Sequence, residues 1–315
     1  MNKNLIVSAS DQKYSELLIE LYNSTHLLDG YDFAVLDCGL NNETIQFFKE
    51  KNIEVAKSEW HVNIPSYKAR GREYLKAQFS RFYLDEYFPG YENYIWMDSD
   101  TWINCKEIFN YYLIGAIQSG FSITPQIDRA SSKIISIKWF LNFPYKINSI
   151  NYKNISRSLN KALGRKYAGH YTINAGCFAY NHKFEGIKNL RKNLNIASKK
   201  GRVFGSDQVA LALTMFEDKV PFELLPSYCN WMCEHHLPKF CTNSNKFVEP
   251  FIPNTNIGVM HLAGLDDVRV NKNIHHEIKR AQNQRLLYQY RTAKTHGSDL
   301  FGGDRPAKPA AFGNA

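Results

Sequence analysis

A chain of 315 residues with 44% apolar side chains can bury a sizeable core, as one large α/β domain or two smaller ones, which excludes wholesale disorder. The formal net charge of +9 is concentrated in one place, because Arg129 to His170 holds nine Lys and Arg and no Asp or Glu. Such a block suits phosphates, anionic lipid or nucleic acid, and equally a solvated surface insertion.

The chain opens with an apolar run of only Leu5, Ile6 and Val7, far too short for a secretory h-region. The charge-free stretch Leu113–Ile127 is broken by Gln118, Ser119, Ser122, Thr124 and Pro125 and cannot pass for a spanning helix. A cytoplasmic protein is expected, with any membrane contact peripheral, at the inner face. Short apolar runs at Leu5–Val7, Phe33–Leu36, Ile53–Val55 and Tyr94–Met97 predict strands with helical patterns between them, the signature of a mostly parallel sheet covered on both faces. The spacing predicts a helix over Tyr74–Phe88, stopped by Pro89 and Gly90.

The basic segment interleaves Trp139, Phe140, Phe143, Tyr145 and Tyr152 with its cations and has no sustained period. Order returns with a strand at Cys177–Tyr180 and a helix that puts Phe184, Ile187, Leu190, Leu194 and Ala197 on one face. Ser206 reads as the N-cap of a helix carrying Val209, Leu213 and Phe216 inward, and Ile257–Met260 as a further strand. A basic helix over Asn273–Ala293 and a Gly-, Pro- and Ala-rich tail beyond His296, expected to be disordered, close the chain.

Six cysteines in a presumed cytosolic chain are expected to be reduced and partly buried. Cys229, Cys233, His235, His236 and Cys241 are zinc-type ligands, but the paired C-x2-C spacing of zinc modules is absent, which argues against a structural zinc.

A buried strand Tyr94–Met97 that ends in Asp98-Ser99-Asp100 delivers two carboxylates to the sheet's carboxyl edge, where ligands of open α/β sheets bind. A turn there lets both converge on one hard cation, which could neutralise a diphosphate leaving group. The bland reading is an acidic turn capping the next helix, and a bare D-x-D decides little between the two.

The surrounding residues carry more. In order, the chain presents Ala9-Ser10-Asp11 with Tyr14 after its first strand, then Phe79-Ser80-Arg81-Phe82-Tyr83-Leu84 running into Phe88-Pro89, then Tyr94–Asp100. Asn174-Ala175-Gly176-Cys177-Phe178, Ser206-Asp207-Gln208 and finally His261 with Gly264 complete the series. Over Leu5 to Gly264 this set resembles the glycosyltransferase A fold, a Rossmann-like, mostly parallel sheet flanked by helices. Within it, the set resembles the retaining family-8 enzymes typified by glycogenin and bacterial lipooligosaccharide or lipopolysaccharide galactosyltransferases.

The resemblance implies a hexosyltransferase acting on a nucleotide sugar, UDP-linked in the first instance, and a glycan, glycolipid or other hydroxyl acceptor. Asp98, Asp100 and His261 would bind Mn2+ or Mg2+, a choice that one imidazole among oxygen ligands suits chemically; otherwise His261 is a core histidine. Ala9, Asp11 and Tyr14 would line the base and ribose, though Asp11 could be a plain N-cap. Arg81, Ser99 and Gly264 would stand at the diphosphate and donor sugar, with Arg81 alternatively a surface residue of its helix. Asn174, beside the small Ala175 and Gly176, would sit against the sugar, unless the stretch is an ordinary turn. Asp207 would bind sugar hydroxyls with Gln208 near the anomeric carbon, and because a Gln is a poor nucleophile, front-face transfer with retention is expected. Asp207 also fits the first turn of a capped helix, and both roles can hold together.

The implied organisation is a glycosyltransferase A domain over 1–265, in which 129–170 is a basic insertion at the acceptor or lid, followed by a basic helix over 266–295 and a tail over 296–315. The chain departs from the family in lacking its Lys-Pro-Trp after the final Gly; Leu265, Asp266, Asp267, Val268 and Arg269 follow instead, and Arg269 or Lys272 could substitute. A sugar nucleotidyltransferase is disfavoured because Ser8–Lys13 contains no glycine. The alternative from another class is a non-catalytic protein gripping anionic lipid or nucleic acid through 129–170. Against it, nucleic acid in particular, the positive charge is confined to one insertion.

Overall fold

The computed structural model describes residues 3–264 except 70, 132–134, 201 and 242. The predicted C-terminal helix and tail, with Arg269 and Lys272, lie outside the described residues. The strands are β1 Asn4–Ser10, β2 Tyr31–Asp37, β3 Glu54–Lys57, β4 Asn93–Met97, β5 Thr101–Ile103, β6 Phe121–Gln126, β7 Ser136–Phe140, β8 Phe143–Asn148, β9 Thr172–Asn181, β10 Glu223–Leu224, β11 Asn230–Met232, β12 Lys239–Cys241, β13 Lys246–Val248 and β14 Val259–His261. The helices are α1 Ser15–Ser24, α2 Asn42–Glu50, α3 Ser66–Ala69, α4 Ala77–Ser80, α5 Leu84–Tyr87, α6 Lys106–Ser119, α7 Ile150–Ser158, α8 Lys161–Lys166, α9 Ile187–Lys200 and α10 Ser206–Ala212. Among the described residues no helix is long and apolar enough to cross a membrane.

A seven-stranded sheet runs β10-β6-β9-β4-β1-β2-β3. Its pairs are parallel except where β9 lies between β4 and β6, antiparallel to both. Strand β4 shows why the apolar run Tyr94–Met97 is continuous rather than alternating. Tyr94 and Trp96 enter a core with Phe79, Phe82, Phe121 and Phe178, while Ile95 and Met97 enter the core of the opposite face with Ile6, Phe109, Tyr112 and Val259. A strand covered on both faces needs apolar side chains at every position. A small second sheet, β11-β14-β5, joins the first through β5, which follows β4 after three residues.

Two expectations need correction and one alternative falls away. The Tyr74–Phe88 helix is a 3-10 turn at Glu73–Lys76 followed by α4 and α5, interrupted at Arg81–Tyr83. The interruption coincides with Arg81, whose side chain is drawn inward to buried acceptors. Asn174-Ala175-Gly176 is no turn but the buried interior of β9. Ser206 is the first residue of α10 rather than its cap; that place belongs to Gly205, at φ 85°.

Within 129–170, where no periodicity was visible, the chain forms the β7–β8 hairpin and then α7 and α8. These helices start on side-chain caps, Ser149 accepting from the Tyr152 amide and Asn160 from the Leu163 amide.

Candidate functional site

Strand β4 ends in a tight turn. The Asp98 amide donates to the Gly176 carbonyl of β9 at 2.8 Å, and the Thr101 amide donates back to the Asp98 carbonyl at 3.1 Å. The chain re-enters as β5, which pairs antiparallel with β14 and sets His261 opposite Thr101. The Leu262 amide donates to the Asp100 carbonyl at 3.0 Å, tying the two ends together. Sheet pairing thus brings a sequence-distant histidine to the acidic turn, and one ligand atom each from Asp98, Asp100 and His261 lies within 4.8 Å of the others.

The two oxygens of Asp98 are differentiated. Oδ1 accepts from Trp96 Nε1 at 2.8 Å and from Arg81 Nη2 at 3.0 Å, which leaves Oδ2 free of both. Asp100 Oδ1 lies 3.3 Å from His261 Nε2, and His261 Nδ1 is buried without a hydrogen-bond partner among the described residues. Gly176 makes this approach possible, since a Cβ there would lie 2.2 Å from His261 Cε1 and 2.9 Å from Asp98 Oδ2.

Arg81, only 4% exposed, is the hub between this cluster and the next. Its Nε donates to the Ala77 carbonyl at 3.2 Å and Nη1 to the Ala175 carbonyl at 2.8 Å, while Nη1 also pairs with Asp207 Oδ2 at 3.0 Å. With Nη2 on Asp98 Oδ1, the guanidinium makes three hydrogen bonds and pairs with two carboxylates. The guanidinium lies 4.8 Å from the Trp96 ring centre, a cation–π stack.

Asp207 is 4% exposed at the start of α10, and its Oδ1 accepts from the Gln208 amide at 2.9 Å. Burial pushes its carboxyl up from the ordinary range, while Arg81 and the Gln208 amide pull it down. Gln208 Oε1 accepts from Asn154 Nδ2 at 3.2 Å, so α7 of the basic segment positions its carboxamide. Asn174 Oδ1 accepts from the Gly176 amide at 2.9 Å, and its Nδ2 points to Met232 Sδ at 2.7 Å.

On the other side, Val7 pairs with Trp96, so the parallel register places Ala9 level with Asp98 across β1 and β4. Asp11 follows at the N-cap of the 3-10 turn Gln12–Tyr14 but makes no capping bond, and its Oδ1 is buried without a hydrogen-bond partner among the described residues. Tyr14 and Ser99 are both half-buried. Gly264 has φ 73°, and a Cβ there would lie 2.3 Å from the Glu234 carboxyl, so the position demands glycine.

The site fits a divalent cation on its own chemistry. Among the described residues, Asp98, Asp100 and Asp207 gather three carboxylates beside the Arg81 guanidinium, and His261 Nδ1 is buried without a hydrogen-bond partner. Two carboxylates with one imidazole form an Mn2+- or Mg2+-type donor set. No zinc-type group forms among the described residues, where the one cluster of potential metal ligands is Asp98, Asp100 and His261. Cys229 and Cys233 are buried, and burial raises both thiols, Cys233 to about 12.

Four residues that shape the site were given no role in it from the sequence. Trp96 orients Asp98, Asn154 holds Gln208, Met232 meets Asn174, and Gln78 accepts from the Gly205 amide at 3.1 Å at the entry to α10. Trp96 alone gave a signal, as an indole in a buried strand whose N–H must find an acceptor.

No protein-family model matches the chain, and no curated relative does. In structure it is similar to the galactosyltransferase LgtC in complex with donor and acceptor sugar analogs, with a TM-score of 0.55 and 16% identity over 93% of this chain and 96% of that one. An active-site glutamine-to-glutamate mutant of LgtC is similar with a TM-score of 0.51 and 16% identity, over 82% of this chain and 87% of that one. The apo-form glycosyltransferase GlyE of Streptococcus pneumoniae TIGR4 gives a TM-score of 0.51 and 12% identity, over 94% of this chain and 63% of that one. The chain shares the glycosyltransferase A fold with these proteins.

Proposed function

We propose that the chain is a cation-dependent glycosyltransferase of the family-8 type, moving a hexosyl group from a nucleotide sugar, UDP-linked in the first instance, to a hydroxyl acceptor with retention of configuration. The observation that carries this reading is the convergence of Asp98, Asp100 and His261 within 4.8 Å at the sheet's carboxyl edge, joined through Arg81 to Asp207. The likeness in fold to a galactosyltransferase that binds donor and acceptor sugar analogs supports it.

Asp98 Oδ2, Asp100 and His261 would hold Mn2+ or Mg2+, which supplies Lewis-acid neutralisation of the donor's diphosphate. Ala9, Asp11 and Tyr14 would receive the nucleoside, with the unpaired Asp11 Oδ1 accepting from a ribose hydroxyl. Asp207, oriented by Arg81, would accept from donor-sugar hydroxyls, and Asn174 would border the sugar. Gln208, held by Asn154, would face the anomeric carbon. Its carboxamide is too weak a nucleophile to form a covalent intermediate. The bond from the anomeric carbon to the diphosphate oxygen therefore breaks as the acceptor oxygen attacks on the same face. The acceptor's proton passes to the departing diphosphate oxygen. The segment after the hairpin, α7 and α8, would form the acceptor side.

Mn2+ with UDP should raise the melting temperature of the wild type, and Asp100→Asn should abolish the shift with the fold intact. A shift that survives the substitution removes the cation assignment. A panel of nucleotide sugars scored for cation-dependent hydrolysis identifies the donor, and an inverted anomeric configuration in the product would remove the family-8 placement.

A further inference from the structure

The basic segment supplies a feature that the donor site does not use. The β7–β8 hairpin pairs Lys138 with Lys146, Trp139 with Pro144 and Phe140 with Phe143, and projects an apolar tip. Trp139, Phe140, Leu141, Phe143 and Tyr145 are each 60–86% exposed. Successive residues of a strand point to opposite faces, so Trp139 and Phe140 expose large apolar groups on both faces of the ribbon. A ribbon laid flat against a protein surface needs apolar groups on one face only. One that is apolar on both suits a medium that surrounds the tip.

The charges behind the tip agree. Lys138 and Lys146 flank it, and Lys153, Arg157, Lys161 and Arg165 follow on α7 and α8, all exposed and none in an ion pair among the described residues. Arg165 lies over the Phe143 ring at 5.9 Å, joining the cationic helices to the tip. From Arg129 to His170 no carboxylate opposes this field. Aromatic and apolar side chains ahead of a belt of cations is the arrangement that seats a protein at the boundary between acyl chains and anionic headgroups.

We infer that the β7–β8 hairpin is a membrane-interface anchor, inserting Trp139, Phe140, Leu141, Phe143 and Tyr145 into the surface of an anionic bilayer. The hairpin runs straight into α7, capped at Ser149, and α7 carries the Asn154 that holds Gln208. Anchoring would therefore set the mouth of the site at the lipid surface, where an acceptor carried on a lipid headgroup would be presented. Insertion requires neither donor nor cation, so its failure leaves the transferase reading standing, and the reverse holds too.

The test uses the full chain and vesicles of phosphatidylcholine alone or mixed with phosphatidylglycerol. Of the five tryptophans, Trp60 is half-buried, Trp96, Trp102 and Trp231 are buried, and only Trp139 is exposed, so it reports insertion directly. Its emission should shift to the blue on anionic vesicles and be quenched by brominated acyl chains, with binding that weakens as salt rises. Paired Phe140→Ser and Leu141→Ser substitutions, or Lys138→Glu with Lys146→Glu, should each weaken vesicle binding at least about tenfold at an unchanged melting temperature. Unshifted Trp139 emission, equal binding to neutral vesicles, or undiminished binding by both variants would overturn the inference. So would a self-associated wild type that Phe140→Ser with Leu141→Ser converts to a monomer, since the tip would then be covered by a second copy.

Discussion

Replacing Gly176 by alanine adds one methyl group and no charge, yet that methyl would point at the centre of the proposed cation site. Its ideal position lies 2.2 Å from His261 Cε1, 3.0 Å from His261 Nδ1 and 2.9 Å from Asp98 Oδ2. Ordinary contact begins near 3.4 Å, so the imidazole must retreat by about 1 Å. His261 is 3% exposed and its carbonyl accepts from the Cys233 amide, so it has little room to do so. Overpacking of this kind costs about 1–3 kcal/mol. Alanine recovers about 0.4–1 kcal/mol by restricting the unfolded chain. The net loss is therefore about 0.5–2 kcal/mol, or roughly 1–3 °C in melting temperature for a chain of this length. The effect on the cation should be larger, because coordination distances tolerate only about 0.2 Å. Mn2+ affinity should fall at least about tenfold. Titrating Mn2+ against the melting temperature, or by calorimetry, measures both effects, with Gly169→Ala as the control because a Cβ there meets nothing within 4 Å. Wild-type Mn2+ affinity in Gly176→Ala would refute the placement of His261 at the cation.

Arg81→Met should cost about 3–5 kcal/mol in urea unfolding, because it strands the buried Asp207 and removes one partner of Asp98, and Arg81→Lys should not restore the loss since one ammonium cannot span the same acceptors. Because burial holds the Asp207 carboxyl above its ordinary value of 3.8, the native state keeps a proton that the unfolded chain has already released. Stability from this group is full below 3.8 and is lost as pH rises through the raised folded value, so without added metal Asp207→Asn should gain on the wild type across that window; a constant difference would exclude it. A thiol reagent should modify Cys241 first, since hydrogen bonds with Ser244 lower its thiol and it is only half-buried, whereas Cys38, pushed up to about 11, and Cys233, pushed up to about 12, should react only on unfolding.

By itself the sequence placed the apolar strands along the chain and set Asp98 and Asp100 at the end of Tyr94–Met97, whereas the order of those strands in the sheet came only with the tertiary structure. That legibility is local physics. Tyr94–Met97 is apolar at every position because both of its faces are covered, and Asp98 and Asp100 follow where such a strand must end. His261 entered as a cation ligand only through the resemblance, and its convergence with the acidic turn comes from the pairing of β5 with β14. Tertiary structure alone decided that Asn174-Ala175-Gly176 lies inside a strand and that Gly176 makes room for the histidine. It also broke the helix at Arg81 and turned that side chain inward onto Asp98 and Asp207. The hairpin tip escaped a reading based on periodicity because its aromatics line neither a helix face nor a buried strand face. The reason is common to all of these. Periodicity records which face of an element is buried, whereas a hydrogen bond from a distant strand, or a gap left by a missing Cβ, exists only once the chain has folded.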